Sequence, residues 1–593
     1  MRAGAKSLGF TSNPVLTLRL PAWRSRFVAF AITLLFLALF ARALWLQGFS
    51  RDFLQQQGAS RYERVLEMPA RRGQIMDRNG IVVASSVEVR AFWAIPDDVD
   101  LDDPHIRDVA KLLDMPEALL RAKLCDDDRN YVLVKRQVEM DVANKITALN
   151  VKGLHQRQEF KREYPEGDAL AHVVGFADVE QTGQEGLELA LDKVLAGKAG
   201  SRRVIKDRLG RVIEQAELLR APVDGADVTL SIDSKIQSAV SAMLKQGVLA
   251  NKAKAGAAIV VDAQTGEVLA LSNYPSYDPN ERSRLKGEQL RNRVLTDMYE
   301  PGSTMKPITL SLALDSGIVK PTSSFNTSPG RLTIGTNTIS DTHDYGTLTV
   351  AGIIQKSSNI GTTKVALQMQ PHAMWDFYTS VGFGTRPLLK LGADGLAGDA
   401  AFQGAASGRV RPWNHWKPIE QATMSYGYGI SVSLAQMARA YTMFARDGEM
   451  IPLSLVKTGA VPVGVRIVKP ETARTMLGML ETATGAGGTA PMAQVIGYRV
   501  AGKTGTARKQ DKGVYLNGQY IASFIGLAPA SAPRLIIGVL IDTPMAGVYT
   551  GGPVSGPVFS KIAGTTLRLM NIPPDAPYKT SIVVPDNPIE EGL

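Results

Sequence analysis

The sequence predicts an α+β domain built on an antiparallel sheet with helices, preceded by a mixed pedestal domain and one transmembrane helix. Strand patterns lie at both ends of residues 227–570 and helical patterns fill the middle, so the first and last strands can join in one sheet. A run of 20 mostly apolar residues near the N-terminus is long enough to cross a bilayer as a helix. Between these parts, residues 48–226 are charged and irregular in pattern, with no cluster of histidine or cysteine.

Residues 27–47 predict the membrane-spanning helix, and the charge around them predicts its direction. The chain of 593 residues carries a net charge of +10, and residues 1–51 contain seven basic and no acidic side chains. This concentration beside an apolar run argues for a membrane rather than a nucleic-acid partner. By the positive-inside rule, residues 1–26 form a cytoplasmic tail and the rest of the chain lies outside. The alternative is a cleaved signal peptide, but the candidate cleavage site, Ala41-Arg-Ala43, contains an arginine.

The predicted elements of the extracytoplasmic part follow from local patterns. The sequence Asp77-Arg-Asn-Gly80 predicts a tight turn between two strands of the pedestal. A domain boundary near Asp224-Gly225 precedes a new strand, and residues 571–593 are proline-rich and predict a tail. Within the main domain we predict strands at 227–232, 257–262, 267–272, 521–528 and 535–541, and helices at 234–246, 303–316, 436–446, 470–481 and 558–570.

Three short motifs occur in a fixed order: Ser303-Thr-Met-Lys306, Ser357-Ser-Asn359 and Lys503-Thr-Gly505. Positions i and i+3 of a helix share a face, so the Lys306 amine can reach the Ser303 hydroxyl. A serine becomes a useful nucleophile when a neighbouring base takes its proton. Glu-Pro-Gly precedes Ser303 and an apolar stretch follows it, which places the serine at the start of a buried helix.

Other copies of these patterns lack that context. They are Ser283–Lys286, Ser454–Lys457, Ser324–Asn326 and Lys457–Gly459. The first lies in a highly charged stretch and the last runs into a proline-containing loop. We expect these copies to be solvated polar pairs without a chemical role.

The three motifs, in this order, resemble those of the penicillin-binding protein and serine β-lactamase superfamily. Further segments resemble class B penicillin-binding proteins, at residues 72–80, 162–167 and 183–188. Residues 292–307, 425–429 and 501–507 resemble the division-specific branch of that class, the peptidoglycan D,D-transpeptidases of FtsI type. The resemblance covers roughly residues 20 to 570.

The resemblance implies a mechanism for septal peptidoglycan cross-linking. Ser303 is expected to attack a stem peptide ending in D-Ala-D-Ala, with Lys306 as base, Ser357 as proton relay and Asn359 holding Lys306 and the substrate amide. Lys503, with the hydroxyls of Thr504 and Thr506 beside Gly505, is expected to bind the terminal carboxylate. The backbone N–H groups of Ser303 and Thr506 are expected to form the oxyanion hole. A β-lactam would acylate the same serine.

The resemblance also implies location and partners. We expect a single-pass protein of the bacterial inner membrane with a periplasmic catalytic domain. Its partners would be donor and acceptor stem peptides, a division glycosyltransferase and other division membrane proteins, with β-lactams as inhibitors. The pedestal, which belongs to a domain described in this family as dimerisation-like, would hold the active site away from the membrane and offer a docking surface. No cofactor is predicted, and no metal site is predicted because the six histidines show no ligand spacing. No nucleic-acid partner is predicted because the excess positive charge lies around the apolar run.

Several alternatives stay open at this point. The same site would serve an elongation-type transpeptidase or a D,D-carboxypeptidase, and more remotely a β-lactamase, a penicillin sensor or a non-catalytic division scaffold. Residues 497–504 also match the phosphate-loop pattern of an ATPase. That pattern requires a flexible loop that opens a helix, whereas the residues around Lys503 favour a strand.

Overall fold

The computed structural model describes two units of the chain. It covers residues 21–49, 63–125, 131–206, 212–283, 285–387, 389–391, 402, 404–511 and 513–577. The first unit comprises Met1–Met68 and Ala199–Pro222, and the second comprises Pro69–Lys198 and Val223–Leu593. The segments predicted as cytoplasmic tail and C-terminal tail lie largely outside the described residues.

The first unit contains the predicted membrane segment and a small sheet. Helix Ala22–Leu44 is followed by a short π-helical stretch, Trp45–Phe49, and none of the residues in helix Ala22–Leu44 is buried. By length and composition, Ala22–Gln47 can cross a membrane. Strand Gly200–Lys206 lies between Glu63–Met68 and Val212–Arg220 and pairs antiparallel with both.

The second unit begins with the larger part of the pedestal, residues 69–198, whose central strand is Val82–Ala94. This strand pairs antiparallel with Ile75–Met76, Val132–Glu139 and Leu154–Glu163. The predicted turn after Asp77 is confirmed, because residues 78–80 connect two of these strands. Three helices pack against the sheet through an apolar core that includes Phe92 and Ile106. These helices are His105–Leu112, Glu117–Leu124 and Met140–Ala148.

A buried ionic cluster joins the three pedestal segments that carried the family resemblance. Arg72 and Glu188 are fully buried, and Arg72 Nε donates to Glu188 Oε2 at 2.5 Å. Arg162 Nε donates to Glu188 Oε1 at 2.7 Å, and Arg72 Nη1 donates to Asp192 at 2.7 Å. Buried charges persist only when they are paired and hydrogen-bonded. The segment 72–80 therefore has a structural role, to which Arg72 contributes through this cluster.

The main domain is built on an antiparallel sheet, as predicted, and this sheet has five strands. The strand order is Val268–Tyr274, Ala255–Asp262, Leu535–Asp542, Val514–Ala528 and Ala501–Asp511. The strand predicted at 227–232 does not belong to this sheet, because Val228–Thr229 pairs parallel with Ile75–Met76 of the pedestal. An early strand and a late strand, 255–262 and 535–542, pair directly in the middle of this sheet. The α+β prediction, with sheet strands from both ends of the domain, is thus confirmed.

Helices cover both faces of this sheet. Helices Ser234–Ala250 and Gly551–Leu569 form one apolar layer with the sheet. The opposite layer contains helices Lys306–Asp315, Leu434–Ala445 and Pro470–Thr484. The edge strand, Ala501–Asp511, is called the Lys503 strand below.

The remaining elements are short. The further helices are Ala171–Val174, Gly186–Ala190, Asp192–Leu195, Gly287–Leu290, Arg293–Thr296, Val350–Lys356, Asn359–Ala366, Pro371–Ser380 and Pro418–Ser425. The further strands are Phe176–Ala177, Gly183–Glu185, Val228–Thr229, Ser324–Asn326, Arg331–Ile334, Asn337–Ser340, Thr347–Thr349, Leu389–Lys390, Glu449–Met450, Leu453–Ser454 and Val465–Arg466.

The structure tests both the phosphate-loop alternative and the expectation that the additional motif copies are solvated. The phosphate-loop alternative is wrong in structural terms, because Lys503 lies inside a strand and opens no helix. The expectation of solvated pairs is wrong for Ser454, which is 2 % exposed and donates its hydroxyl to Val456 O. Ser283, in contrast, is exposed as expected.

Candidate active site

Ser303 lies at the start of a buried helix, within the 3-10 turn Gly302–Met305, which is called the Ser303 turn below. This turn runs directly into helix Lys306–Asp315. The Ser303 side chain faces the Lys306 amine, with Nζ 2.9 Å from Oγ. Ser303 is 5 % exposed and Lys306 is completely buried. This distance allows a proton to pass between the two groups.

Ser357 completes a triangle with these two residues. Its Oγ lies 2.9 Å from Ser303 Oγ and 3.1 Å from Lys306 Nζ, and its carbonyl oxygen also accepts a hydrogen bond from Lys306. Ser357 has the left-handed backbone conformation, with φ of 61°, at the end of helix Val350–Lys356. This conformation is uncommon for a residue with a side chain and is found where surrounding structure enforces it. The three side chains thus form one hydrogen-bonded proton path.

Asn359 begins the next helix and is held by a residue that sequence reasoning missed. Asp341 accepts hydrogen bonds from the backbone N–H groups of Asn359, at 2.6 Å, and Ile360, at 3.1 Å. It also accepts one from the Ser358 hydroxyl. The Asn359 side-chain amide donates to Ser340 O at 3.2 Å. A carboxylate at a helix start satisfies free backbone donors, and here it fixes the motif that carries Ser357.

The Lys503 strand runs directly beside the Ser303 turn, and glycines make the close approach possible. A Cβ on Gly505 would lie 2.8 Å from Pro301 O, and one on Gly302 would lie 3.1 Å from Thr506 O. Gly302 also has a φ of 53°, which glycine adopts readily. The strand that carries the third motif therefore forms one wall beside the nucleophile.

The polar groups of the Lys503 strand are buried and hydrogen-bonded. Lys503 and Thr504 are 0 % exposed and Thr506 is 2 % exposed. Lys503 Nζ donates to Thr504 O at 3.3 Å and lies 3.2 Å from Thr504 Oγ1. Thr504 Oγ1 is 2.9 Å from Thr489 Oγ1, and Thr506 Oγ1 accepts from Gly551 N at 3.0 Å. A cation with adjacent hydroxyls suits an anionic group such as a carboxylate.

The turn at residues 426–429 supports the Ser303 turn from another side. Gly302 N donates to Gly427 O at 3.2 Å, and a Cβ on Gly427 would lie 2.2 Å from Gly302 O. Gly429 N donates to the Glu300 carboxylate at 2.8 Å. The sequence singled out residues 425–429 only by resemblance, and Glu300 was given no role. No local pattern identifies this support, because its parts are more than a hundred residues apart in the chain.

The described residues contain no group of three or more His, Cys, Asp and Glu side chains that could hold a metal ion. His172 is buried, and its Nε2 lies 2.7 Å from Gln289 O. Burial lowers the pKa of His172 to about 4, and nearby Arg293 contributes in the same direction. His172 is therefore neutral at physiological pH, and its side chain contacts Gln289 and Tyr277 of the main domain.

Comparison with known protein families identifies two domains in this chain. Residues 256–564 match the penicillin-binding protein transpeptidase domain, and residues 67–230 match the penicillin-binding protein dimerisation domain. The chain belongs to the penicillin-binding protein family. The transpeptidase and dimerisation domains together are those of a class B penicillin-binding protein, which is the class that the motifs indicated.

Relatives of the penicillin-binding protein family resemble the chain over nearly its whole length. It is 42 % identical over 564 residues to a probable peptidoglycan D,D-transpeptidase, PenA, of Neisseria gonorrhoeae, covering 94 % of this chain and 95 % of the relative. It is 41 % identical over 562 residues to the peptidoglycan D,D-transpeptidase FtsI of Escherichia coli K12, covering 94 % and 93 %.

Solved structures agree with this assignment. The transpeptidase domain of penicillin-binding protein 3 from Burkholderia pseudomallei is 50 % identical, with a TM-score of 0.53, over 59 % of this chain and 98 % of that one. A peptidoglycan synthetase from Bifidobacterium adolescentis is 25 % identical, with a TM-score of 0.68, over 90 % of this chain and all of that one.

Proposed function

We propose that this penicillin-binding protein is a peptidoglycan D,D-transpeptidase that cross-links stem peptides at the division septum. One observation carries the chemistry: Ser303, Lys306 and Ser357 form a hydrogen-bonded triangle with distances of 2.9 to 3.1 Å between the side-chain atoms. The septal role is supported by the similarity to FtsI of Escherichia coli over most of the chain.

Acylation begins when Ser303 Oγ attacks the carbonyl of the penultimate D-alanine. The uncharged Lys306 amine takes the hydroxyl proton across 2.9 Å. This step requires the uncharged form of the amine. The bond to the terminal D-alanine then breaks, and its nitrogen receives a proton through the Ser357 hydroxyl, which contacts both other groups. The products are an ester on Ser303 and free D-alanine.

The Lys503 strand would bind the substrate for this step. Lys503, with the hydroxyls of Thr504 and Thr506, would hold the terminal carboxylate of the stem peptide. Gly505 lets the strand run close to the nucleophile. The backbone N–H groups of Ser303 and Thr506 would stabilise the oxyanion, and loss of one such donor typically slows a reaction about 10²- to 10³-fold. Asn359 would hold the substrate amide and Lys306.

Deacylation by an amine completes the cross-link. The amine of a neighbouring stem peptide attacks the ester carbonyl, gives up a proton to the Ser357–Lys306 path and releases Ser303. A β-lactam resembles the D-Ala-D-Ala end of the donor and forms a stable ester with Ser303. The same site would support D,D-carboxypeptidase action if water replaced the amine, and elongation-type cross-linking if the partners differed.

The remaining parts would place this chemistry at the membrane. We propose that residues 1–26 form a cytoplasmic tail, 27–47 the membrane anchor, 48–226 the pedestal, 227–570 the periplasmic transpeptidase domain and 571–593 a tail. The apolar stretch of helix Ala22–Leu44, preceded by arginines, supports this topology. A division glycosyltransferase and other division membrane proteins would be the partners of the pedestal.

Labelling with a fluorescent penicillin tests the site. The wild-type protein should form a covalent adduct, and Ser303→Ala should form none. Ser283→Ala is the matched control, because it removes an exposed serine from another Ser-x-x-Lys sequence and should retain the label. An adduct on Ser303→Ala would refute the assignment of the nucleophile. Incubation with a stem peptide and an amine acceptor then separates cross-linking from hydrolysis by the mass of the product.

A further inference from the structure

Glu300 is a buried acid three residues before the nucleophile. It is 8 % exposed, and its carboxylate accepts hydrogen bonds from two separate parts of the domain. Gly429 N donates to Oε1 at 2.8 Å, and the Tyr515 hydroxyl lies 3.2 Å from Oε1 and 3.0 Å from Oε2. Burial raises the pKa of Glu300, while the bonds from Gly429 and Tyr515 oppose that shift. A buried carboxyl needs hydrogen bonds of this kind to offset the cost of its burial.

Tyr515 lies near the outer end of the hairpin formed by the Lys503 strand and strand Val514–Ala528. It pairs with Gln510, beyond a bulge between Arg508 and Gln510. A bulge bends a strand and re-aims the residues beyond it. The neighbouring Val514 is 66 % exposed, so the outer end of the hairpin has little packing of its own. The Tyr515 ring also packs edge-on against Tyr428, with centroids 6.3 Å apart.

We propose that the Glu300–Tyr515 hydrogen bonds form a latch that holds this hairpin against the Ser303 turn, which makes both residues positioning residues for acylation. This inference rests on the proposed function. The latch joins the two backbones that carry the proposed oxyanion donors, since Glu300 precedes Ser303 and Tyr515 belongs to the hairpin of Thr506. Oxyanion donors act only when both point at one oxygen atom. A hairpin that swings outward would separate them.

Four variants test the latch in the full-length protein. Tyr515→Phe removes one hydroxyl and keeps the ring, and Glu300→Ala removes its acceptor. The double variant completes the cycle. Tyr498→Phe is the matched control, because it removes a hydroxyl that donates to Ile572 O at 2.6 Å, outside the Ser303 site.

The readouts are the maximal rate constant of penicillin acylation, the final stoichiometry of the adduct, and hydrogen exchange of hairpin residues 513–520. We expect Tyr515→Phe to slow acylation about tenfold, the size of effect given by loss of a hydrogen bond to a charged group. Stoichiometry should stay at the wild-type value, and exchange of the hairpin amides should speed up. In the Glu300→Ala background, Tyr515→Phe should have no further effect, and Tyr498→Phe should acylate normally.

Each other outcome overturns a defined statement. Wild-type acylation by Tyr515→Phe, or an equal loss with and without Glu300, overturns the latch. Reduced stoichiometry at an unchanged rate constant also overturns it, because it reports misfolded protein and hence a purely structural role. Failure of the wild-type protein to form an adduct on Ser303 overturns the proposed function instead.

Discussion

Glu188→Gln should destabilise the pedestal strongly, although it only replaces one carboxylate oxygen with an amide NH2 group. Glu188 is fully buried and balances two arginines, through bonds of 2.5 Å from Arg72 and 2.7 Å from Arg162. Glutamine keeps the size of the side chain and removes its charge. Asp192, 2.7 Å from Arg72 Nη1 and 30 % exposed, then remains as the second acid of the cluster. One positive charge is left without a buried partner.

The size of the effect follows from burial. Removal of one member of a buried ion pair typically costs about 3–5 kcal/mol. Asp192 compensates part of this loss, so we expect about 3 kcal/mol. For a domain of this size, 1 kcal/mol corresponds to about 2–4 °C. The midpoint temperature of the unfolding transition of the pedestal should therefore fall by about 10 °C.

Thermal unfolding of the full-length protein in detergent measures the shift, and Glu163→Gln is the control. Glu163 pairs with Lys161 at 3.3 Å and its side chain is 43 % exposed. Exposed pairs contribute about 0–1 kcal/mol, so the control should melt within about 3 °C of wild type. If Glu188→Gln melts with the control, the buried cluster does not stabilise the pedestal as argued.

Three further predictions concern the site and the pH response. Lys306→Arg should slow penicillin acylation at least about 10²-fold, because arginine does not release its proton; a near-normal rate in stopped-flow labelling would remove Lys306 as the base. Asp341→Asn should slow acylation and lower stability by about 1 kcal/mol, because the side chain that accepts from the Asn359 and Ile360 N–H groups loses its charge; denaturant unfolding and labelling together check this. His172 has a folded pKa of about 4, below its unfolded value, so its stabilising contribution is complete above about pH 6.5 and is lost as the pH falls toward 4. Between pH 7 and 4.5, the wild-type protein should lose about 2 kcal/mol more stability than His172→Gln, measured by denaturant midpoints; equal losses would contradict the argument.

The sequence predicted most of the sheet because buried strands are locally apolar. Strands 255–262 and 535–542 are buried at nearly every position, and both were expected from continuous Val, Ile, Leu and Ala runs. The last helix shows the opposite case. It begins at Gly551, seven residues before its predicted start, because a Gly- and Pro-rich segment that includes Pro557 hides the helical pattern.

The site shows a similar division. The structure places Ser303, Lys306 and Ser357 within hydrogen-bond distance. The residues that flank the first motif were enough to select Ser303 over Ser283. Asp341 and Glu300 were missed, because their partners lie 18 and 129 residues away in the chain. Contacts of this kind depend on the fold and leave no spacing pattern in the sequence.

The left-handed backbone at Ser357 restricts how this enzyme can change. Glycine would adopt the φ of 61° without strain but would remove the hydroxyl that faces Ser303. Threonine would keep a hydroxyl, but a β-branched residue is a strong outlier in this conformation. Any inhibitor that gains its affinity from the Ser357 hydroxyl would therefore meet few tolerated escape mutations at that codon.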